Sequence, residues 1–435
     1  MRKINRVLLK TVLCLCCAVI VLGLAGCGNS DRYGEMVSHK QNVQEKTGLS
    51  FFGNKNDVGS QSVIESSMRA FMEKHKDVNL TYEAMKGNDY FVTLKKRLQF
   101  NDADDVFILN HDLFLALKNE GKLAELQDLP AVQNINPSLL DKDEQGRVYW
   151  VPTTVSAFGL YCNEDLLKKH HQKVPQNLKE WREVNDYFLS KGITPVVANN
   201  DISLKTMAIG VSLYPYYKDG SIVQLYTELN NGNKKLGAVL TPGFKLVEEF
   251  IQKKYIDSSK ALVTEKTKDD INQFLKGEAP FMLTGAWATN RVKKQKPAFK
   301  FSVQPLPVLE DGSILVINAD TRMAVNAKSK NLQLAKEYLD SFCSAENLEK
   351  FCLEQASFNP NTKALTRSID EVKALQDVYS AKRYAVGSDD RLELPIWELT
   401  RKAVVEMLKG ADAAQAMQKL DDAVSAFENN KEGSK

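Results

Sequence analysis

The 435-residue sequence predicts an α/β protein built as two lobes. Three observations carry that prediction. The chain is longer than one hydrophobic core usually serves and suits two cores of ordinary size. Between residues 49 and 109, short apolar strands alternate with amphipathic helices, the pattern of a parallel sheet covered on both faces. Then Gly146-Arg147-Val148-Tyr149-Trp150-Val151-Pro152-Thr153-Thr154-Val155-Ser156-Ala157-Phe158-Gly159-Leu160-Tyr161 sets two extended, β-branched and aromatic runs around a proline. Proline inside such a run marks a crossing segment at a sheet edge, so the stretch reads as a hinge.

The first 26 residues follow different rules. Arg2, Lys3, Arg6 and Lys10 precede an apolar run from Thr11 to Leu24, shorter than the ~20 residues a membrane span needs. Leu24-Ala25-Gly26-Cys27 closes the run with small residues ahead of a cysteine. Residues 1–26 therefore read as a secretory signal with a bacterial lipobox, which implies cleavage before Cys27 and lipidation of its thiol. Two or more acyl chains suffice to hold a soluble body on a membrane. The signal removes four Lys/Arg and no acids, taking the net charge from +3 to −1. That leaves no basic excess for bulk binding to nucleic acid or anionic lipid. Residues 27–47 are polar and aperiodic, and read as a flexible tether.

Leu49-Ser50-Phe51-Phe52 is the first strand. Ile64, Met68, Phe71 and Met72 then give an inward helical stripe. Val78 to Glu83 alternates as a strand, Tyr90, Leu94 and Leu98 mark a helix, and Asp104 to Leu109 is a short buried strand. Ligands of such sheets meet the loops at the carboxyl ends of strands, which points to Asn54, Asn110, His111 and Asp112. Past the hinge, Asn177 and Glu180 have capping-box spacing ahead of a helix whose inward face is Trp181, Val184 and Phe188. Gly192 to Ala198 follows as a buried strand. From Met207 to Thr264 helices alternate with turns, among them Asn230 to Asn233 and Thr241-Pro242-Gly243.

Phe274-Leu275-Lys276-Gly277 ends a helix, Ala279 to Thr284 is a buried strand, and Gly285 turns the chain so that Trp287 projects from the strand's carboxyl end. A tryptophan in a loop, off any periodic stripe, is hard to explain as packing alone. Ile314 to Val325 is extended and carries Asn318, Asp320 and Arg322. Leu332, Ala335, Leu339 and Phe342 form a further helix. Leu394-Pro395-Ile396-Trp397 opens another, and Ala413 to Phe427 the last, with Asp412 placed to cap it.

Two of these stretches resemble the substrate-binding proteins of bacterial ABC importers, in the large family related to maltose-binding protein. Gly146-Arg147-Val148-Tyr149-Trp150-Val151-Pro152 with Tyr161-Cys162-Asn163-Glu164-Asp165-Leu166 follows one family pattern, with Trp150 where glycine is usual and Cys162 where an aromatic is common. Phe274 to Trp287 follows the second. The order of the pieces extends the resemblance from about Leu49 to Phe427. It implies a two-lobed periplasmic-binding-protein fold of type II whose lobes interleave: residues 48–152 and 318–358 in lobe I, residues 153–317 and 359–435 in lobe II. Asn359-Pro360-Asn361 is then the third crossing. It further implies a carbohydrate held between the lobes, with Phe158, Trp287 and Trp397 stacking on sugar faces and His111, Asp112, Asp320 and Arg322 bonding hydroxyls. The expected partners are that sugar, the transmembrane subunits of an ABC permease, and the membrane through Cys27. A monomer outside the cytoplasm is expected, with no cofactor and no catalysis.

Competing motifs are weak. Asp141 to Gly146 imitates an EF-hand opening, but Pro152 falls where calcium needs a bidentate carboxylate. The five histidines, His39, His75, His111, His170 and His171, show no metal-ligand spacing. No nucleophile elbow or phosphate loop occurs. Carboxylates brought together in space could still form a glycosidase pair, so a surface-anchored glycan-degrading enzyme is the rival reading, with a peptide- or protein-binding lipoprotein as a third. Cys343 and Cys352 could bridge only across a helix break near Ser344 to Asn347; buried free thiols are the simpler expectation.

Overall fold

The computed structural model describes residues 35–38, 46–364 and 368–432. The signal segment, Cys27 and much of the expected tether lie outside the described residues. Among the described residues, eleven strands join into one sheet: β1 (Glu35–Ser38), β2 (Thr47–Gly53), β3 (Val78–Ala84), β4 (Val106–Leu109), β5 (Val151–Asn163), β6 (Val196–Val197), β7 (Phe281–Gly285), β8 (Phe301–Gln304), β9 (Leu306–Leu309), β10 (Gly312–Val325) and β11 (Tyr384–Val386). The main path runs β1-β3-β2-β4-β10-β5-β7-β6. β1 falls inside the segment read as an unstructured tether. Its backbone adds antiparallel to the edge of β3, a pairing that needs no side-chain periodicity and so left no pattern to read.

β2 pairs parallel with β3 and with β4, as the alternating strands and helices predict. Helix Val58–Lys74 buries Ile64, Met68 and Phe71, and helix Gly87–Gln99 buries Tyr90, Leu94 and Leu98. These side chains and the β2–β4 interior form the first core. Helices Leu332–Phe342 and Ala345–Glu354 return to that core late in the chain, through Leu339, Phe342, Leu348 and Phe351. The second core lies around Phe158, Leu160, Ile314 and Val316, covered by helices Leu178–Ser190, Ser203–Asp219, Leu236–Gln252 and Ile396–Leu408.

β5 and β10 join the two halves. They pair antiparallel from Phe158↔Val316 to Val151↔Met323. At one end β10 also pairs with β4, through Arg322 to Val325; at the other β5 pairs with β7, through Phe158 to Cys162. Each strand thus runs from one lobe into the other, and β5 is buried along its whole length. Pro152 is accommodated where β5 begins. Around the expected third passage, Phe358 bridges Val155, Asn361 bridges Ile135, and the Thr362 amide donates to the Asn134 carbonyl at 2.8 Å.

Two local expectations fail for physical reasons. Thr241-Pro242-Gly243 is no turn but lies inside helix Leu236–Gln252. The Gly243 amide finds Ser212 Oγ at 3.0 Å, and a Cβ there would lie 2.0 Å from the Ala208 carbonyl oxygen, so close helix packing absorbs the proline. The strand read over 192–198 shrinks to Val196–Val197, because only those residues meet β7. Asn177 caps its helix as read, accepting from the Glu180 amide at 2.9 Å. The helix does end at Phe342 and a new one begins at Ala345, yet both cysteines are buried free thiols.

Candidate functional site

The alternation of β5 and β10 decides what faces the space between the halves. Thr154, Ser156 and Phe158 on β5 share a face with Asp320, Asn318 and Val316 on β10, as the register pairs them. Phe158 is buried at the far end of this floor, and both candidate tryptophans meet it. Its ring lies 5.2 Å from Trp287, edge to face, and 5.2 Å from Trp397 at a tilt. Both tryptophans stay half-buried.

Local structure holds each indole in place. Trp287 sits in the 3-10 turn Ala286–Ala288 directly after β7, and its ring folds back over Gly285, where a Cβ would come within 2.2 Å of it. Trp397 opens helix Ile396–Leu408 and leans on Gly387, where a Cβ would lie 2.8 Å from the indole and 2.9 Å from Asn318 Oδ1. Lys205 lies beneath Trp397: its Nζ is 4.0 Å from the ring centroid, 2.6 Å from Asp201 and 3.2 Å from the Trp397 carbonyl oxygen. Burial pulls the Lys205 pKa down to about 8 despite Asp201.

The opposing wall comes from the carboxyl ends of β2 and β4. Asn54 Oδ1 and Asp112 Oδ1 are buried without a hydrogen-bond partner. Burial raises the Asp112 pKa; His111, Glu398 and Lys205 act on the same carboxyl, the last two from the tryptophan side. Asn110 caps helix His111–Leu117, accepting from the Leu113 amide at 2.9 Å, which occupies its carbonyl oxygen. Asp320 accepts from the Thr321 amide at 2.7 Å and acts on Lys55, whose ammonium donates to Gln355 at 2.8 Å.

His111 and Arg322 do not stand open as hydroxyl-bonding groups. His111 Nδ1 lies 2.5 Å from Asp390 Oδ1 and its Nε2 lies 3.3 Å from the Leu394 carbonyl oxygen. Arg322 donates to Asp390 at 2.6 Å, to the Ser388 carbonyl at 2.9 Å and to the Ala319 carbonyl at 3.0 Å, with its guanidinium 4.5 Å from the Trp150 ring centroid. Both residues are nearly fully buried and, apart from the Arg322 bond to Ala319, spend these polar atoms on the loop 387–394. The tryptophan that replaces the family's usual glycine thus becomes the platform under Arg322. Burial alone would raise the Asp390 carboxyl, but Arg322 and His111 hold it below the usual range, and its Oδ2 is buried and unpartnered. Asp390, Lys205 and Gly387 escaped the sequence reading. Gly387-Ser388-Asp389-Asp390 looks like an ordinary polar turn, and Lys205 like a solvated helix position, until tertiary packing buries them.

A family model described as bacterial extracellular solute-binding protein matches residues 66–378, more than half of the chain. The chain belongs to this family. Among curated relatives of this solute-binding protein, the melibiose/raffinose/stachyose-binding protein MelE of Bacillus subtilis strain 168 is 22% identical over 414 residues, 90% of either chain. A family 1 extracellular solute-binding protein from Bifidobacterium longum subsp. infantis superposes with a TM-score of 0.70 at 22% identity, over 88% of this chain and 100% of that one. RafE in complex with raffinose gives 0.70 at 17% identity, over 87% and 98%. The fold is therefore the two-lobed type II solute-binding fold.

Proposed function

We propose that this protein captures a neutral carbohydrate between its lobes and delivers it to an ABC permease, held at the outer face of the membrane by acyl chains on Cys27. The observation that carries the proposal is the pairing of two half-buried tryptophans around Phe158 with unpartnered acceptor oxygens on the opposing wall. Indole faces cover the apolar faces of sugar rings, and orphaned carboxylate and amide oxygens suit hydroxyl donors. Trp287 and Trp397 stack on the ligand with Phe158 behind them. Asp112, Asn54 and Asp320 bond hydroxyls, with Asn110 shaping the loop. His111 and Arg322 act at one remove by fixing Asp390. The sugar specificity of the MelE and RafE relatives supports a carbohydrate, and the family supports transport.

On this reading the bound sugar is returned unchanged. Calorimetric titration of the mature chain with melibiose, raffinose and stachyose tests the proposal, with chromatography of the recovered sugar. Saturable binding of intact sugar is expected. Trp287→Ala and Trp397→Ala should each weaken it roughly tenfold or more, as truncated aromatic anchors do. Flat titrations across neutral sugars, or cleaved products, would refute it.

A further inference from the structure

Directly after Trp287, the chain enters the short helix Thr289–Lys294, whose side chains reach lobe I. Asn290 Nδ2 donates to the carbonyl oxygens of Leu353 at 3.1 Å and Glu354 at 2.8 Å, at the end of helix Ala345–Glu354. The last carbonyls of a helix lack intrahelical partners and carry its negative pole, so they take donors from outside the helix; Leu353 also accepts from the Ala356 amide at 3.2 Å. Lys294 adds an ion pair to the Glu354 carboxylate at 3.1 Å, and Arg291 reaches within 3.9 Å of Asp57. Asp57 caps the helix Val58–Lys74, and the Glu354 carboxylate lies against Gly59, so the socket is made by two helix ends of lobe I. The socket also touches the ligand wall. Gln355 links Ser60 Oγ at 2.6 Å to Lys55 at 2.8 Å, one residue from Asn54.

We infer that Asn290, backed by Arg291 and Lys294, is a closure latch: a positioning residue that caps a lobe I helix from lobe II and sets how long a bound ligand is retained. The inference rests on the two-lobe capture reading. Only two residues separate the stacking indole from the latching amide, so a ligand that seats Trp287 also seats Asn290. Opening the cleft withdraws this amide from the helix end, and that cost falls on release. Entry into an open cleft is unaffected.

Stopped-flow fluorescence of the mature chain with raffinose or stachyose reads both rates. Asn290→Ala should raise the dissociation rate about fivefold, the scale of a lost hydrogen bond. Asn290→Asp, which sets a carboxylate against carbonyls, should raise it roughly tenfold or more. In both variants the association rate and the ligand-free melting temperature should hold at wild-type values. Unchanged dissociation rates, or losses that track a lowered melting temperature, would overturn the latch. Should no sugar bind, the capture reading fails on its own, and the latch is read from scattering of the ligand-free chain. A larger radius of gyration for Asn290→Asp than for wild type supports it, and superimposable curves overturn it.

Discussion

Trp397 is held from three directions: Phe158 behind, Lys205 beneath and the bare backbone of Gly387 at its edge. The cation over the ring stabilises the indole by about 0.5–2 kcal/mol, more when desolvated. Gly387→Ala tests this dependence without removing any polar group. Its new methyl would meet the indole and Asn318, so the expected outcome is a displaced Trp397, a shifted emission spectrum and weaker sugar binding; unchanged emission and affinity would show that the indole needs no such space. Asp141 supplies a second residue-scale test. Burial, reinforced by Asp390, raises its pKa to about 6, with Asp389 adding repulsion and Lys118 and Arg322 opposing it. A carboxyl raised in the folded state binds more protons there than when unfolded between about pH 4 and 6. Its penalty is therefore absent at low pH and fully felt above pH 6. Asp141→Asn should raise the melting temperature at pH 7.5 and leave it unchanged near pH 4. An equal shift at both pH values would contradict that sign.

At the level of elements, helices Ser203–Asp219 and Leu236–Gln252 approach so closely at Ala208 and Gly243 that no side chain fits between them. Gly243→Ala should destabilise the chain by about 1–3 kcal/mol through overpacking, seen as a lower denaturation midpoint. A neutral result would mean that the two helices can part freely. This contact also shows what a sequence can conceal. The stripes Ile64-Met68-Phe71 and Tyr90-Leu94-Leu98 were readable because periodicity alone selects a helix and its inward face. Thr241-Pro242-Gly243 was misread because local turn chemistry lost to Ser212 and Ala208, both distant in sequence. β1 was unreadable because edge pairing uses backbone atoms. Thr321 escaped for a similar reason: it is a β-branched residue at φ 46° where β10 passes between the lobes, held by Thr153 and Thr154 hydroxyls. Such a backbone stores about 1–3 kcal/mol of strain that composition does not announce.

Across the whole molecule, the two paired strands that tie the cores together were legible as the extended runs around Pro152 and over 314–325, but the sheet edge that the proline suggested is not where β5 lies: it pairs with β10 on one side and β7 on the other. The candidate site was legible only in part. Trp287 and Trp397 could be singled out at strand and helix ends and Phe158 through the family resemblance, and the structure brings all three together. His111 and Arg322 were singled out equally well by residue type, but type does not reveal that Asp390, 279 residues beyond His111, takes up the donors. Bonds between the lobes stand on both flanks of the floor. Lys118 meets Glu393 at 2.7 Å on one side, and Asn290 and Lys294 meet the 353–354 helix end on the other. On the capture reading, such a molecule opens by bending β5 and β10 and shuts by remaking these contacts around a guest. Small-angle scattering of the mature chain, with and without saturating raffinose or stachyose, tests this most directly. The radius of gyration should fall on addition of a bound sugar and return when the sugar is dialysed away; curves that superimpose under saturation would contradict capture by closure.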